Sequence, residues 1–350
     1  MIRADLSLVP DPLADLGERV PAPPRRSAGT SRTSAKAQEM QAFPPPVAVP
    51  SWARAIGWEG QGDPLFAAGA GLALLDAHLR RDPPAAGALR QRLALRSAAA
   101  SAKILRLNAD VSALRDLRFA VGDEPGPAAK LLRLWRELAA RPPGLDAGRV
   151  AAAGAALDLP VANADALAES LREQSRAGDP VSAAAKAAAA AFSAFPDALA
   201  ADAEILALWA FDLVLAIRLH WPRPVPLIAT KIFDPALRSP GASRRPRPGE
   251  PAWERHAAAA IALAAASALD LAADLSRRAE ILLAFAPKLR AKPAAKIVDL
   301  LLAEDCVSPA EAARHAPMTD RAARRLFDRL VSSSAAREFS GRPTFRLYGL

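Results

Sequence analysis

The chain has 350 residues and a formal net charge of +9, which is enough sequence for about two domains and a well-buried core. Its residues are 51% hydrophobic but only 5% aromatic, and alanine dominates the apolar set, so the composition favours closely packed helices and argues against an all-β fold. Cys306 is the single cysteine, which excludes an internal disulfide and fits a reducing compartment.

The N-terminal segment, residues 1–50, is rich in proline and poor in large apolar side chains, a composition typical of disorder. It contains no apolar run of the signal-peptide type. The longest apolar stretches are residues 257–269, which are too short to span a bilayer, and residues 205–217, which contain Asp212. We therefore expect a cytoplasmic protein with no membrane partner.

The central part of the chain, residues 51–286, is predicted to be an alanine-rich helical domain. Apolar residues recur there at helical spacing in segments that proline or glycine separates. These segments are residues 64–79, 87–107, 112–121, 128–139, 147–156, 163–176, 181–196, 198–220 and 253–286. Residues 239–251, rich in proline, glycine and arginine, are predicted to form an internal loop.

The tail, residues 287–350, has the pattern of three short helices followed by a hairpin. Ser308 is a helix cap, Pro309 suits the first helical position, and Glu311 is placed to reach back to the cap. Thr319 is predicted to cap the third helix. The predicted helices cover residues 294–303, 309–315 and 320–332, and the predicted strands cover residues 337–339 and 344–348. This order predicts a winged helix-turn-helix domain with a small β-hairpin at the end of a mainly α protein.

Arginines lie where such a domain contacts DNA. On the third helix they lie largely opposite an apolar stripe, and two more flank the predicted hairpin turn. An α-helix fits the major groove, where arginine meets phosphates and guanine edges. From residue 287 onward the chain has 12 Lys/Arg against 7 Asp/Glu, more than half of the net excess. The predicted DNA-binding residues are Thr319, Arg321, Arg324, Arg325, Arg342 and Arg346.

Two other functions remain open. Winged helices also dock proteins, and Asp320 and Asp328 among the arginines argue against tight phosphate binding. An enzyme is the weaker alternative, and it requires Asp212, Asp123 and Arg115 to converge in one pocket. Asp212 lies in an apolar segment, where a carboxylate has either a raised pKa or a cationic partner. If Asp212 has a structural role and not a catalytic one, we expect it to form an ion pair with an arginine such as Arg218 or Arg115.

Motifs for cofactors and metals are not found in the sequence. The histidines lack metal-ligand spacing, and no phosphate-binding loop, dinucleotide fingerprint or nucleophile elbow is present. We therefore predict no cofactor, no metal and no catalytic residue.

Several motifs together carry a resemblance: residues 114–116, residues 122–127, Trp135-Arg136 and the turn at residues 224–227. They resemble an uncharacterised bacterial family of unknown function that is frequent on plasmids, over roughly residues 45–350. The tail is similar to the C-terminal winged helix of related helix-turn-helix proteins, in which a turn like Gly341-Arg342 precedes an aromatic strand. The resemblance implies a bacterial cytoplasmic protein linked to DNA, and it supplies no catalytic residue.

We therefore expect a non-enzymatic, DNA-associated protein. Its helical body sets a homo-oligomeric state or binds a protein partner, and its tail binds duplex DNA.

Overall fold

Alanine and leucine at helical spacing, interrupted by proline, fold the described part of the chain into helices joined by short turns. The computed structural model describes residues 43–54, 62–120, 125–160, 162–237, 244–289, 293–342 and 345–350. Most of the predicted N-terminal segment, residues 239–243 of the predicted 239–251 loop, and Asp123 therefore lie outside the described residues.

The predicted mainly helical class is confirmed, and the bounds follow the predicted segments closely. The α-helices of the described residues are α1 Pro64–Leu79, α2 Ala86–Ile104, α3 Val111–Leu117, α4 Pro127–Ala140, α5 Ala147–Ala155, α6 Ala164–Ser175, α7 Pro180–Ser193, α8 Ala200–Arg218, α9 Ile228–Lys231, α10 Trp253–Phe285, α11 Ala294–Ala303, α12 Pro309–His315 and α13 Asp320–Ser332. The strands are β1 Arg337–Glu338 and β2 Tyr348–Gly349. Single 3-10 turns lie at Ser51–Ala53, Pro235–Leu237 and Ala286–Lys288.

Local capping explains where several of these helices begin. Asp63 accepts a hydrogen bond from the Leu65 amide before α1, and Asp179 accepts from the amides of Val181 and Ser182 before α7. Both helices then start with proline, which lacks the amide hydrogen that would otherwise need a partner. These signals are readable in the sequence because they involve neighbours along the chain.

Small residues let the helices of the body pack closely. The helix pairs α7 with α8, α1 with α10, and α2 with α4 make its largest contacts. A Cβ atom added at Gly71 of α1 would lie 2.9 Å from the Cβ of Ala265 in α10, so glycine allows these two helices to approach. Alanine plays the same part along α7, where half of the residues are buried and all but one of these are alanines.

The long helix α10 occupies the core of the body. With the turn that follows it, Trp253–Lys288 is long and apolar enough to cross a membrane by length and composition. However, 61% of its most apolar window is buried inside the protein, which is the pattern of a core helix.

The hairpin of the tail is shorter than predicted. Its strands are antiparallel, with Arg337 opposite Gly349 and Glu338 opposite Tyr348. The predicted second strand covered residues 344–348; residue 344 lies outside the described residues, and the observed strand is Tyr348–Gly349. Tyr348 also forms an isolated bridge with Val307, in the segment between α11 and α12.

Residues Phe43–Leu350 form one compact unit, and the tail helix α11 packs against α2 of the body. The predicted boundary after residue 286 falls within the 3-10 turn Ala286–Lys288 that follows α10. The division of the chain into a helical domain and a tail domain stays a prediction.

Candidate nucleic-acid interface

The predicted caps Ser308 and Thr319 set the starts of α12 and α13, whereas the Glu311 carboxylate pairs with Arg118 (2.7 Å) and does not reach back to Ser308 as predicted. Ser308 accepts a hydrogen bond from the Glu311 amide (3.1 Å) at the start of α12, with Pro309 in the first helical position. Thr319 accepts from the Ala322 amide (3.2 Å) at the start of α13. The Thr319 hydroxyl, a predicted DNA contact, is thus already engaged as a helix cap, although its proton is still available to a phosphate.

One face of α13 is anchored to the core of the tail. Ala323, Phe327 and Leu330 are buried, and the Phe327 ring stacks on that of Tyr348, with centroids 4.4 Å apart. Because Tyr348 also bridges to Val307, the helix, the hairpin and the segment before α12 are fixed to one another. The opposite face of α13 is therefore presented to solvent in a defined orientation.

That outward face carries a row of cations, Arg321, Arg325 and Arg329, each four residues after the last. All three side chains are exposed, and Arg321 and Arg325 have no ion pair with any described residue. An α-helix rises about 1.5 Å per residue, so the row repeats at about 6 Å. We refer to these three residues as the arginine row.

Arg329 was not among the predicted contacts, although it follows Arg325 at the same spacing. It donates from Nη2 to the Lys288 carbonyl (3.1 Å), and its Cζ lies 5.5 Å from the centre of the Phe285 ring. The Lys288 Nζ lies 5.8 Å from that same ring. The end of the arginine row is therefore held against the turn that follows α10, next to a second cation.

The other predicted cations are paired with carboxylates. Arg324 contacts Asp320 one turn earlier on α13 (2.8 Å). On the hairpin side, Arg342 contacts Asp116 of the body (2.8 Å). Arg346 contacts Asp328 (3.3 Å) and lies 3.9 Å from Glu338. These ion pairs are accessible to solvent. They reduce the local positive charge, but each one is weak and can exchange its partner.

A groove of about 600 Å³ lies beside α13, between the hairpin, the start of α12 and the segment after α3. Its walls carry both charge signs together with the rings of Phe119 and Phe345, whose centroids are 6.2 Å apart in an edge-to-face arrangement. The cations in its lining are Arg118, Arg314, Arg324 and Arg346, and the carboxylates are Glu311, Asp320 and Asp328. This mixed lining does not present a continuous positive surface to a polyanion.

The tail is joined to the body by a buried ion-pair cluster that the sequence did not predict. Asp305 is 3% exposed and accepts from Nε of Arg92 (2.6 Å) and Nε of Arg115 (2.6 Å). Burial alone would raise the pKa of Asp305, but hydrogen bonds and charge from the two arginines lower it below its ordinary value. We call Asp305 with these two arginines the Asp305 clasp.

Further contacts surround the Asp305 clasp. Arg118 pairs with Glu311 (2.7 Å) and Glu304 (3.2 Å), and Arg136 also pairs with Glu304 (2.8 Å). The ring of Phe339, beside β1, lies within 5.4 Å of both clasp guanidiniums. Arginines of α2, α3 and α4 in the body therefore form ion pairs with acidic side chains of the tail.

A family profile described as "Protein of unknown function (DUF1403)" matches residues 37–350. The chain belongs to the DUF1403 family. The predicted resemblance to an uncharacterised family is thus confirmed. No curated protein shows significant similarity to the chain. The family assigns no activity, so the function of this DUF1403 chain has to be argued from its own residues.

The structural interpretation of Asp212 was right about burial and wrong about its partner. Asp212 is fully buried, and its two carboxylate oxygens accept from the amides of Leu227 (2.9 Å) and Ile228 (3.2 Å). Burial raises the pKa of Asp212 to about 8, against the lowering effect of these amides. Arg218 instead donates to the Gly178 carbonyl, and Arg115 belongs to the Asp305 clasp.

The residues of the enzyme hypothesis are accordingly not brought together in the described part of the chain. Asp212 and Arg115 have separate buried partners, and Asp123 lies outside the described residues. Among the residues that the structure describes, no group of three or more His, Cys, Asp or Glu is placed to hold a metal ion.

Proposed function

We propose that this DUF1403 chain binds duplex DNA through the arginine row of α13, and that its tail is a winged helix-turn-helix domain. The order of elements supports the fold assignment. Helix α11 is followed by the bridging residue Val307, then by α12, α13 and the hairpin, and Val307 pairs with Tyr348 in the second strand. In a winged helix the corresponding third helix is the one that enters the major groove.

The observation that carries the proposal is the state of the arginine row. Arg321 and Arg325 are exposed on the pole of α13 opposite its buried face, and no described carboxylate pairs with them. Their spacing of about 6 Å is close to the separation of successive phosphates along a DNA strand. Arg329, held by the Lys288 carbonyl, extends the same line.

The paired cations have a secondary place in this proposal. Arg324, Arg342 and Arg346 would each exchange an exposed carboxylate partner for a phosphate, an exchange that costs little. Thr319 would donate its hydroxyl proton at the start of the helix. We therefore expect their replacement to affect affinity less than replacement of the arginine row.

Fluorescence anisotropy with a labelled duplex over a salt series tests the proposal. The slope of log K against log salt is negative, and each lost phosphate contact makes it less steep by about 0.9. The double variant Arg321→Ala with Arg325→Ala should therefore have a slope that is less negative by about 1.8. The matched control is Arg133→Ala on α4, an exposed arginine that is paired with Glu137. Equal affinity and slope for wild type and the double variant would show that the arginine row does not contact DNA.

A second candidate is a protein-interaction adaptor, which the mixed-charge groove favours. In the groove, two of the predicted cations, Arg324 and Arg346, pair with carboxylates, and two aromatic rings lie beside them, features that suit a peptide carrying both charges. This candidate predicts no duplex affinity at physiological salt but a stable complex on co-purification. Substitution of Phe345 by alanine should then weaken the complex, whereas the Arg321 and Arg325 double variant should not.

A further inference from the structure

A cavity of about 310 Å³ is lined by α4, α5 and Trp209 of α8, and no residue of the tail takes part in its lining. We call it the α4–α5 cavity. The two helices make little contact with each other. Alanines line the α5 side, among them Ala152 and Ala153, and their short side chains leave the space open. The volume lies at the lower end of the range for small-molecule sites, roughly 300 to 1,000 Å³, so the cavity suits a compact ligand.

The charged side chains of the α4–α5 cavity are mostly cations. Four cations and one carboxylate line it: Lys130, Arg133, Arg141, Arg149 and Glu137. Lys130 pairs with Asp158 (2.8 Å), and Arg133 pairs with Glu137 (2.7 Å). The other two cations, Arg141 and Arg149, form no ion pair with any residue that the structure describes. The lining therefore carries positive charge that the protein itself does not neutralise.

Arg149 is fixed at the wall of the cavity with part of its guanidinium unsatisfied. Its Nη1 donates to the Pro142 carbonyl, and its backbone amide donates to the Asp146 carboxylate that caps α5 (2.8 Å). Its Nη2 is shielded from solvent and has no acceptor. Burial, together with the charge of Arg141, lowers the pKa of Arg149 although Asp146 acts in the opposite direction. Because a charge shielded from water is unfavourable unless paired, these two arginines favour an anion in the cavity that both of them line.

The rest of the lining is apolar. Leu134 and Leu138 contribute from α4, and Trp209, which is only 2% exposed, contributes from α8. An inorganic anion would leave this apolar surface in contact with water, whereas an aliphatic chain covers it and gains from the burial. The lining therefore favours an anion with an apolar body.

We propose that the α4–α5 cavity binds a small organic anion, a short aliphatic chain that ends in a carboxylate or a phosphate. The anionic group pairs with Arg141, whose side chain is exposed, and with Arg149, whose guanidinium rotates at its end to give Nη2 an acceptor. The chain covers the apolar part of the lining. The site is independent of the proposed DNA contact, since none of its residues belongs to the tail.

Isothermal titration calorimetry of the full chain with hexanoate, and with hexanol at the same concentrations, tests the site. Hexanoate should bind saturably to one site, and hexanol should bind at least about tenfold more weakly, because it lacks the charge. Arg141→Gln and Arg149→Gln should each raise the Kd of hexanoate by about tenfold or more. Ala152→Trp, at an exposed position of the lining, should fill the cavity and abolish binding. The matched control is Arg176→Gln, at an exposed arginine outside the cavity, which should bind like wild type.

A second titration with hexyl phosphate distinguishes the two anionic groups. The compound with the lower Kd identifies whether the site prefers a carboxylate or a phosphate. The proposal is overturned if neither anion binds, if hexanol binds as tightly as hexanoate, or if Ala152→Trp binds like wild type. It is equally overturned if Arg141→Gln binds hexanoate like wild type. That variant decides the matter even if Arg149→Gln does not fold, because the Arg141 side chain is exposed and holds no described residue in place.

Discussion

Replacing Asp305 by asparagine should undock the tail from the body. The Asp305 carboxylate accepts from Arg92 and Arg115 at 2.6 Å each, and the side chains of the two arginines are 9% and 18% exposed. Asparagine keeps the shape of the side chain but removes the charge, and it can offer only one oxygen to two guanidiniums. Both arginines would then be buried without an anionic partner.

The expected loss follows from that burial. Removing one partner of a buried ion pair costs about 3 to 5 kcal/mol, and the partial exposure of Arg115 places this case near 3 kcal/mol. Asp320→Asn is the matched control, because it breaks an exposed pair with Arg324 on α13 and should cost about 0.5 kcal/mol or less. The difference between the free energies of unfolding of the two variants isolates the effect of burying the ion pair.

Urea unfolding followed by circular dichroism measures both variants at pH 7. The same experiment at low pH gives the sign of the linkage. Since the folded pKa of Asp305 lies below its unfolded value, its stabilisation is complete above the unfolded pKa and is lost as pH falls through the folded pKa. The Asp305→Asn variant should lack this part of the acid loss. Equal stability of Asp305→Asn and Asp320→Asn would refute the idea that the Asp305 clasp holds the tail.

Two further predictions concern the body. The pKa of Asp212 in the folded protein, about 8, exceeds its value in the unfolded chain. Its contribution to the free energy of unfolding is therefore complete below about pH 4 and falls by up to about 1.4 kcal/mol per pH unit toward pH 8. In urea unfolding the Asp212→Asn variant should lack this pH dependence, and an unchanged pH dependence would contradict the raised pKa. A Cβ atom at Gly87 of α2 would lie 2.7 Å from the Cα of Ala303, so Gly87→Ala should destabilise the protein by about 1 to 3 kcal/mol. Gly69 has open space around it, so Gly69→Ala should stabilise α1 by about 0.5 to 1 kcal/mol. Equal changes in Tm for the two variants would show that α11 does not pack against α2 this closely.

The helices could be predicted because their signals are local. The caps at Asp63, Ser308 and Thr319 act on amides two or three residues away, and proline marks the first turn of several helices. Helix α9 has four residues, too few to show a period, and it was not predicted. The second strand was placed too early because alternation in the sequence does not reveal where the partner strand ends.

The candidate sites depended on contacts that sequence separation hides. Asp305 is 213 residues from Arg92 and 190 from Arg115, so no spacing rule connects them. The expectation that Asp212 needs an arginine failed because a turn fifteen residues away supplies two amides instead. Arg329, by contrast, can be predicted from the sequence, since it continues the four-residue spacing of Arg321 and Arg325.

Docking of the tail also changes how its charge is distributed. Arginines of the body bind three tail carboxylates, Glu304, Asp305 and Glu311, while two body carboxylates, Asp116 and Asp274, pair with the tail cations Arg342 and Arg337. Docking therefore neutralises three negative and two positive charges of the tail, and release would return three carboxylates to solvent. If the tail binds DNA, the Asp305 clasp and the affinity for DNA should be linked, and conditions that undock the tail should weaken binding without any change at the arginine row.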